Sequence, residues 1–220
     1  MTSPSSLPDA SANPETFADL LRRETSAHHR RAEQSEFQKS LISGRADRDA
    51  YIGWLGQMLL VYQALETALT PNSADPDGPI RSATWHRSEH LRADLASLGV
   101  APESVTPLPP TTEFTANLGR WATEDRALLI GPLYVLEGSS NGGTYIAKSL
   151  GRALELGASG ATRFLDPYGA DQAARWQDFR TDISATVDER RSEGVVATAQ
   201  STFDAITKIG QAILDSRRPR

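Results

Sequence analysis

The sequence predicts an all-α fold, a single multi-helix bundle, and three observations carry that reading. Apolar residues recur almost everywhere at the three-to-four-residue spacing of a helix. No clear run alternates with period two, and the segments that interrupt the periodicity are rich in proline and glycine. A chain of 220 residues suits one compact domain, and its 39 % hydrophobic content suffices for one core, because parts of it read as tail and linker.

The elements follow in order. Residues 1–14, "MTSPSSLPDASANP", have neither the basic start nor the apolar centre of a secretory signal; their Ser, Pro and Ala content predicts a disordered tail before a helical domain over 15–216. Asn13 as N-cap and Pro14 at the first helical position would start a helix with Phe17, Leu20, Leu21 and His28 on one face. A second helix over about 47–70 carries Tyr51, Trp54, Leu55, Met58, Leu59, Tyr62 and Leu65, and "TPNSADPDGP" ends it. A third spans 81–98 with Leu91, Leu95 and Leu98 as its stripe; a proline-rich connection over 99–113 leads to a helix at 113–123. A glycine-containing helical segment covers about 125–155, "GASGATRFLDPYG" is a loop, and helices over 170–190 and 194–216 precede a basic end at 217–220. About seven helices result.

The composition narrows the function classes. A net charge of −5 argues against general nucleic-acid binding. The chain has no cysteine, which removes disulfides, thiolate metal sites and iron–sulfur clusters and fits a reducing compartment. No stretch approaches the roughly 20 apolar residues of a membrane span. The expectation is a soluble, cytoplasmic protein without membrane or nucleic-acid partners.

The chemistry-bearing residues are few. Four histidines fall in two pairs. In "RRETSAHHRRAEQSEF", His29 and Glu33 are one helical turn apart, so Glu33 can accept the Nδ1–H of His29 and leave Nε2 for a metal. The plainer alternative is a surface imidazole beside a carboxylate. At roughly 100° per residue, His28 rather than His29 sits over Phe17, Leu21 and Glu24, so periodicity alone favours His28 as the inward one. The second pair, "WHRSEH", matches the H-x-x-E-H pattern of inverted zinc peptidases, with His86 and His90 as ligands and Glu89 as base. No third ligand is evident, and the flanking sequence reads as an ordinary charged helix.

"GPLYVLEGSSNGGTYIAKSL" (131–150) places Gly138, Gly142 and Gly143 in a helical run, where each costs roughly 1 kcal/mol relative to alanine. Either another helix packs closely on the G-x-x-x-G pair, or a flat ligand lies against bare backbone. Arg22, two turns before His29, and Arg180 in "WQDFRTDI" could each clasp a carboxylate or simply be solvated.

Taken together these segments resemble the haem oxygenases, in particular the bacterial branch whose members supply biliverdin to bacterial phytochromes. The resemblance spans roughly 15–216. "LLRRETSAHHRRAEQSEF" is similar to the family's proximal helix when His29 takes the ligand position, with Ala32, Glu33 and Phe37 in step; His28 is the alternative ligand. "LYVLEGSSNGGTYIAKSL" is similar to the distal helix, and "RFLDPYG" with "WQDFR" to the late loop and helix that bring an arginine to the haem propionates.

The resemblance implies haem as both cofactor and substrate, cleaved by oxygen and reducing equivalents to biliverdin, carbon monoxide and ferrous iron. It implies His29 as iron ligand with Glu33 behind it, and Arg22, Arg180 and Tyr134 on the propionates. Gly138, Gly142 and Gly143 would give clearance on the oxygen side. Ser139 stands where animal-type enzymes carry an aspartate, so protons must arrive by another route. With no nucleotide-binding or iron–sulfur signature in the chain, an external donor is implied: a ferredoxin, a flavodoxin or a flavin reductase. A bacteriophytochrome or other biliverdin acceptor is a further partner. A helical protein that binds or senses haem without turnover is the alternative function.

Overall fold

The structure, a computed structural model, describes residues 15–70, 87–156 and 160–218. The expected tail over 1–14, most of the break after residue 70, His86 and the last two residues lie outside the described residues. Those described form nine α-helices and no strand. They are α1 (Phe17–Gln34), α2 (Glu36–Ile42), α3 (Arg48–Leu69), α4 (Arg87–Ser97), α5 (Pro109–Glu124), α6 (Ile130–Gly138), α7 (Ser140–Ala153), α8 (Gln172–Thr186) and α9 (Glu189–Ser216).

Several boundaries differ from the sequence expectation, each for a local reason. Helix α1 begins after Thr16, whose side chain accepts from the Asp19 N–H, and not from an Asn13 cap. Ser35, in extended conformation, ends α1 and caps α2 through the Gln38 N–H, so a short helix stands where none was expected. Helix α5 starts four residues early because Pro109 and Pro110 occupy its first turn, where a missing N–H costs nothing. The described part of the third predicted helix begins at Arg87.

Helix α3 is apolar nearly all round, so it lies in the middle, packed against α4, α5 and α9. Its one buried amide, Gln57, is fully used: Oε1 accepts from Leu108 N–H (2.9 Å) and Thr111 hydroxyl (2.7 Å), and Nε2 donates to the Thr106 carbonyl (3.1 Å). The proline-rich connection is thereby pinned to the core. Helix α9, roughly 42 Å long at 1.5 Å per residue, is the spine on which α1, α5 and α6 lie. At Gly131 the α6 and α9 backbones come so close that a Cβ would sit 2.2 Å from Thr198 Oγ1 and 2.6 Å from Ala199 N.

The loop before α8 is held by buried polar groups. Asp94 accepts the backbone N–H of Arg163 (3.1 Å) and Phe164 (2.9 Å), and Tyr51 donates to the Ala161 carbonyl (2.7 Å). Burial raises the Asp94 carboxyl, and the two backbone donors pull it back down. These bonds fix Leu165 against α7. No described helix is long and apolar enough to cross a membrane.

Candidate functional site

Helices α1 and α6 are both fastened chiefly to α9, and each also touches α8. The residues singled out from the sequence fall in three groups on α1, α6, α7 and α8.

The first is on α1. His29 is exposed, its side chain 55 % accessible, with its ring edge-on to Phe203 of α9 at 5.5 Å. Glu33 Oε2 stands 3.5 Å from His29 Nδ1, so Nε2 is the nitrogen turned away from the carboxylate. His28 is engaged elsewhere: Arg31 Nη2 donates to its Nδ1 at 2.8 Å, and Asp204 Oδ1 of α9 lies 3.1 Å from the same nitrogen. Periodicity therefore identified the inward histidine correctly, but inward on α1 means against α9.

The second group is cationic and phenolic. Arg180 of α8 donates to Asp19 of α1 at 2.6 Å, joining the two helices. Tyr134 of α6 is buried and hydrogen-bonded to Thr25 of α1; burial raises its phenol, while Arg180 and then Arg22 oppose the rise. Arg22 and Arg180 thus both act electrostatically on Tyr134, although 112 and 158 residues of chain separate Arg22 from Tyr134 and Arg180. His29 lies seven residues, roughly 10 Å, beyond Arg22 along the helix.

The third group is the break between α6 and α7 at Ser139. A kink frees carbonyls, and side chains take them up. Ser139 Oγ donates to Leu136 O (2.6 Å), as does Tyr62 Oη of α3 (3.3 Å), and Asn141 Nδ2 donates to Gly138 O (3.1 Å).

The three glycines here have different surroundings. A Cβ on Gly143 would lie 1.8 Å from the Leu165 carbonyl oxygen, so this glycine is required by the packing of α7 on the loop. A Cβ on Gly138 would touch the Trp176 ring at 3.2 Å. A Cβ on Gly142 would meet nothing within 4 Å. Packing accounts for Gly143, and no described residue lies close enough to account for Gly142.

The other candidates separate from this region. His90 lies on α4 with Nδ1 buried and without a hydrogen-bond partner; desolvation first, then Arg87, lowers its ring. Its proposed companion His86 is outside the described residues. Among the described residues no group of three or more His, Cys, Asp or Glu could hold a bare metal ion. The donors that do converge, one imidazole with a carboxylate behind it and two guanidiniums beside a phenol, suit an iron already held by a planar tetrapyrrole bearing carboxylates.

Four residues of the region had not been picked out: Thr25, Asp19, Trp176 and Glu137. Glu137 left a readable mark, as the one charge in the apolar run "IGPLYVLEG". Trp176, between Tyr134 (5.4 Å) and Phe179 (5.7 Å), left none, because an aromatic on an amphipathic helix reads as core.

Residues 15–212 match the family model described as "Heme oxygenase". A heme oxygenase of Pyropia yezoensis is 26 % identical over 210 residues, covering 91 % of this chain and 87 % of the relative. Among solved structures, the heme oxygenase of Leptospira interrogans superimposes with a TM-score of 0.79 at 25 % identity, covering 89 % of this chain and 98 % of its own. Heme oxygenase-2 of Synechocystis sp. PCC 6803, solved with heme and NO, gives 0.83 at 22 % identity over 91 % and 86 %.

Proposed function

The chain belongs to the haem oxygenase family, and on that premise we propose that it cleaves haem oxidatively to biliverdin, carbon monoxide and ferrous iron. The observation that carries the reading is His29: an exposed imidazole whose Nδ1 faces a carboxylate, standing roughly 10 Å along α1 from a cluster of two arginines and a tyrosine. Haem is the substrate, and its iron and macrocycle supply the redox chemistry when bound.

The protein's own part is positional. His29 Nε2 holds the iron, and Glu33 fixes the tautomer and raises the basicity of the ring. Arg22, Arg180 and Tyr134 take the propionates and set which ring edge is presented. For Arg180 this means exchanging the Asp19 carboxylate for a propionate. The open face at Gly142 would leave room on the oxygen side of a bound haem. Reducing equivalents come from a ferredoxin, flavodoxin or flavin reductase, and the bilin passes to an acceptor such as a bacteriophytochrome.

Hemin titration of the wild type, His29→Ala and His28→Ala tests the reading. The wild type and His28→Ala give a Soret-absorbing complex that turns into a bilin spectrum with ascorbate and oxygen, and His29→Ala gives neither change. A wild-type complex that survives reductant and oxygen unchanged would leave a haem carrier, not an oxygenase. Loss of the complex in His28→Ala alone would overturn the ligand assignment.

A further inference from the structure

Behind the α6–α7 break lies a group of charges that the positional account above does not use. Glu137 is the last residue before Gly138 and is 3 % exposed, and its Oε2 has no hydrogen-bond partner. Arg87, at the start of α4, is 2 % exposed; its Nη2 donates to Ser140 Oγ at 2.6 Å, whereas Nε and Nη1 have no partner. Buried Gln172 donates from Nε2 to Asn141 Oδ1 at 3.2 Å and leaves Oε1 unpaired. Four unpartnered buried side-chain atoms, from Arg87, Glu137 and Gln172, therefore surround one kink.

Leaving such atoms unpaired is costly, and more so for charged groups. A chain that needed only a stable kink would do better with apolar residues of the same volume. The arrangement instead suits a group that changes its protonation and its partners during turnover.

We propose that Glu137 is the proton-holding residue of the oxygen side: its carboxyl carries a proton that a bridging water relays to the reacting oxygen beside Gly138 and Gly142. This rests on the haem-cleavage reading above. Each proton delivered leaves one carboxylate at Glu137, which is reprotonated from bulk solvent; the electrons come from the external donor already named. Glu137 thus stands in for the aspartate that Ser139 does not supply, from the preceding helix position. The Ser139 hydroxyl is committed to Leu136 O, and the Tyr134 phenol is bound to Thr25 in the cationic cluster, so neither competes for the role.

The titratable and charged groups facing Glu137 come from four elements. They are Arg87 of α4, Tyr168 of the loop before α8, Arg175 of α8 and Tyr62 of α3. Burial raises the Glu137 carboxyl; Arg87, the Tyr168 hydrogen bond and Arg175 hold the rise in check. The balance keeps a proton on the carboxyl more readily than in water and still stabilises the carboxylate once the proton has left. Arg87 is itself sandwiched by rings, 5.4 Å from the centroids of Phe164 and Tyr168 and 5.8 Å from that of Tyr62, which fixes the guanidinium in place.

The test uses Glu137→Gln, Glu137→Asp and Tyr168→Phe in two measurements. In ligand-free protein, carbon-13 carboxyl NMR should show one glutamate titrating above the ordinary range. That signal is absent in Glu137→Gln and moves further up in Tyr168→Phe, which removes the hydrogen bond holding it down. In the hemin complex, Glu137→Gln should keep wild-type hemin affinity within about twofold while bilin formation falls roughly tenfold or more. Its rate should lose the pH dependence that the wild type shows, and Glu137→Asp should restore part of both. A Glu137→Gln protein that turns over at the wild-type rate with the wild-type pH profile overturns the proposal. So does a Glu137 carboxyl that titrates normally and ignores Tyr168→Phe, a readout that remains even if Glu137→Gln folds poorly. Failure of the wild type to turn hemin over would remove the functional reading and this proposal with it, yet leave the ligand-free titration as measured.

Discussion

Gly142 and Gly143 are neighbours in the first turns of α7, yet the structure gives alanine opposite effects at the two sites. At Gly143 the new methyl would have to move from 1.8 Å to van der Waals distance of the Leu165 carbonyl oxygen, a backbone atom. Leu165 is held in place because Asp94 ties down the two residues before it. Overpacking of this kind costs about 1–3 kcal/mol, against which the helix-propensity gain of alanine over glycine returns up to about 1. At Gly142 the methyl meets nothing within 4 Å, so only the propensity gain of roughly 0.5–1 kcal/mol remains. For a chain of this size each kcal/mol is about 2–4 °C in Tm. Ligand-free Gly142→Ala should therefore melt a few degrees above the wild type, and Gly143→Ala a few degrees below. Hemin titration then separates packing from clearance: Gly142→Leu should leave the ligand-free melting curve intact while weakening hemin binding or slowing bilin formation. If Gly142→Ala destabilises the ligand-free protein, or Gly143→Ala is tolerated without loss, the assignment of clearance to one glycine and packing to the other is refuted.

Three other outcomes follow from the described contacts. Asp94→Ala strands the part-buried N–H of Arg163 and the buried N–H of Phe164 and should cost about 1–3 kcal/mol in urea unfolding; a neutral result would mean the loop holds itself. Arg180→Ala loses the Asp19 contact, a partly exposed pair that should hardly alter Tm. It should weaken hemin binding roughly tenfold by removing a charge-assisted bond to a carboxylate, and unchanged hemin affinity would take Arg180 out of the site. Because the folded Glu137 carboxyl is raised above its ordinary 4.5, the folded state holds its proton longer than the unfolded state does. Its contribution to stability is thus full below that value and declines as pH rises toward the folded value. Glu137→Gln should remove that component of the pH–stability curve, and identical wild-type and variant slopes would contradict it.

How much of this was legible in the sequence depended on what each residue touches. The all-helical class and most helix positions were readable, since burying an amphipathic stripe leaves a three-to-four-residue period whatever the stripe packs on. The one extended residue at Ser35 and the early start of α5 were not, because one or two capping residues decide them. The histidine question shows the limit most clearly. Periodicity selected His28, which does lie against α9, while His29 is more than half exposed and reads as a surface residue. An exposed side chain leaves no mark in the apolar pattern, so beyond its spacing to Glu33 only the resemblance to a family singled His29 out.

By itself, the sequence determined the fold class, the His29–Glu33 pairing and the presence of three glycines in one helical run. The tertiary structure alone decided that Arg22 and Arg180 come within electrostatic reach of Tyr134, since that depends on how α1 and α6 pack on α9 and how α8 packs against both. It also decided which glycine answers to packing and which faces open space, because that depends on the one carbonyl of a distant loop that abuts Gly143 and does not reach Gly142. The physical reason is common to both: spacing along a helix fixes which face a residue is on, and only the packing of other elements fixes what that face meets.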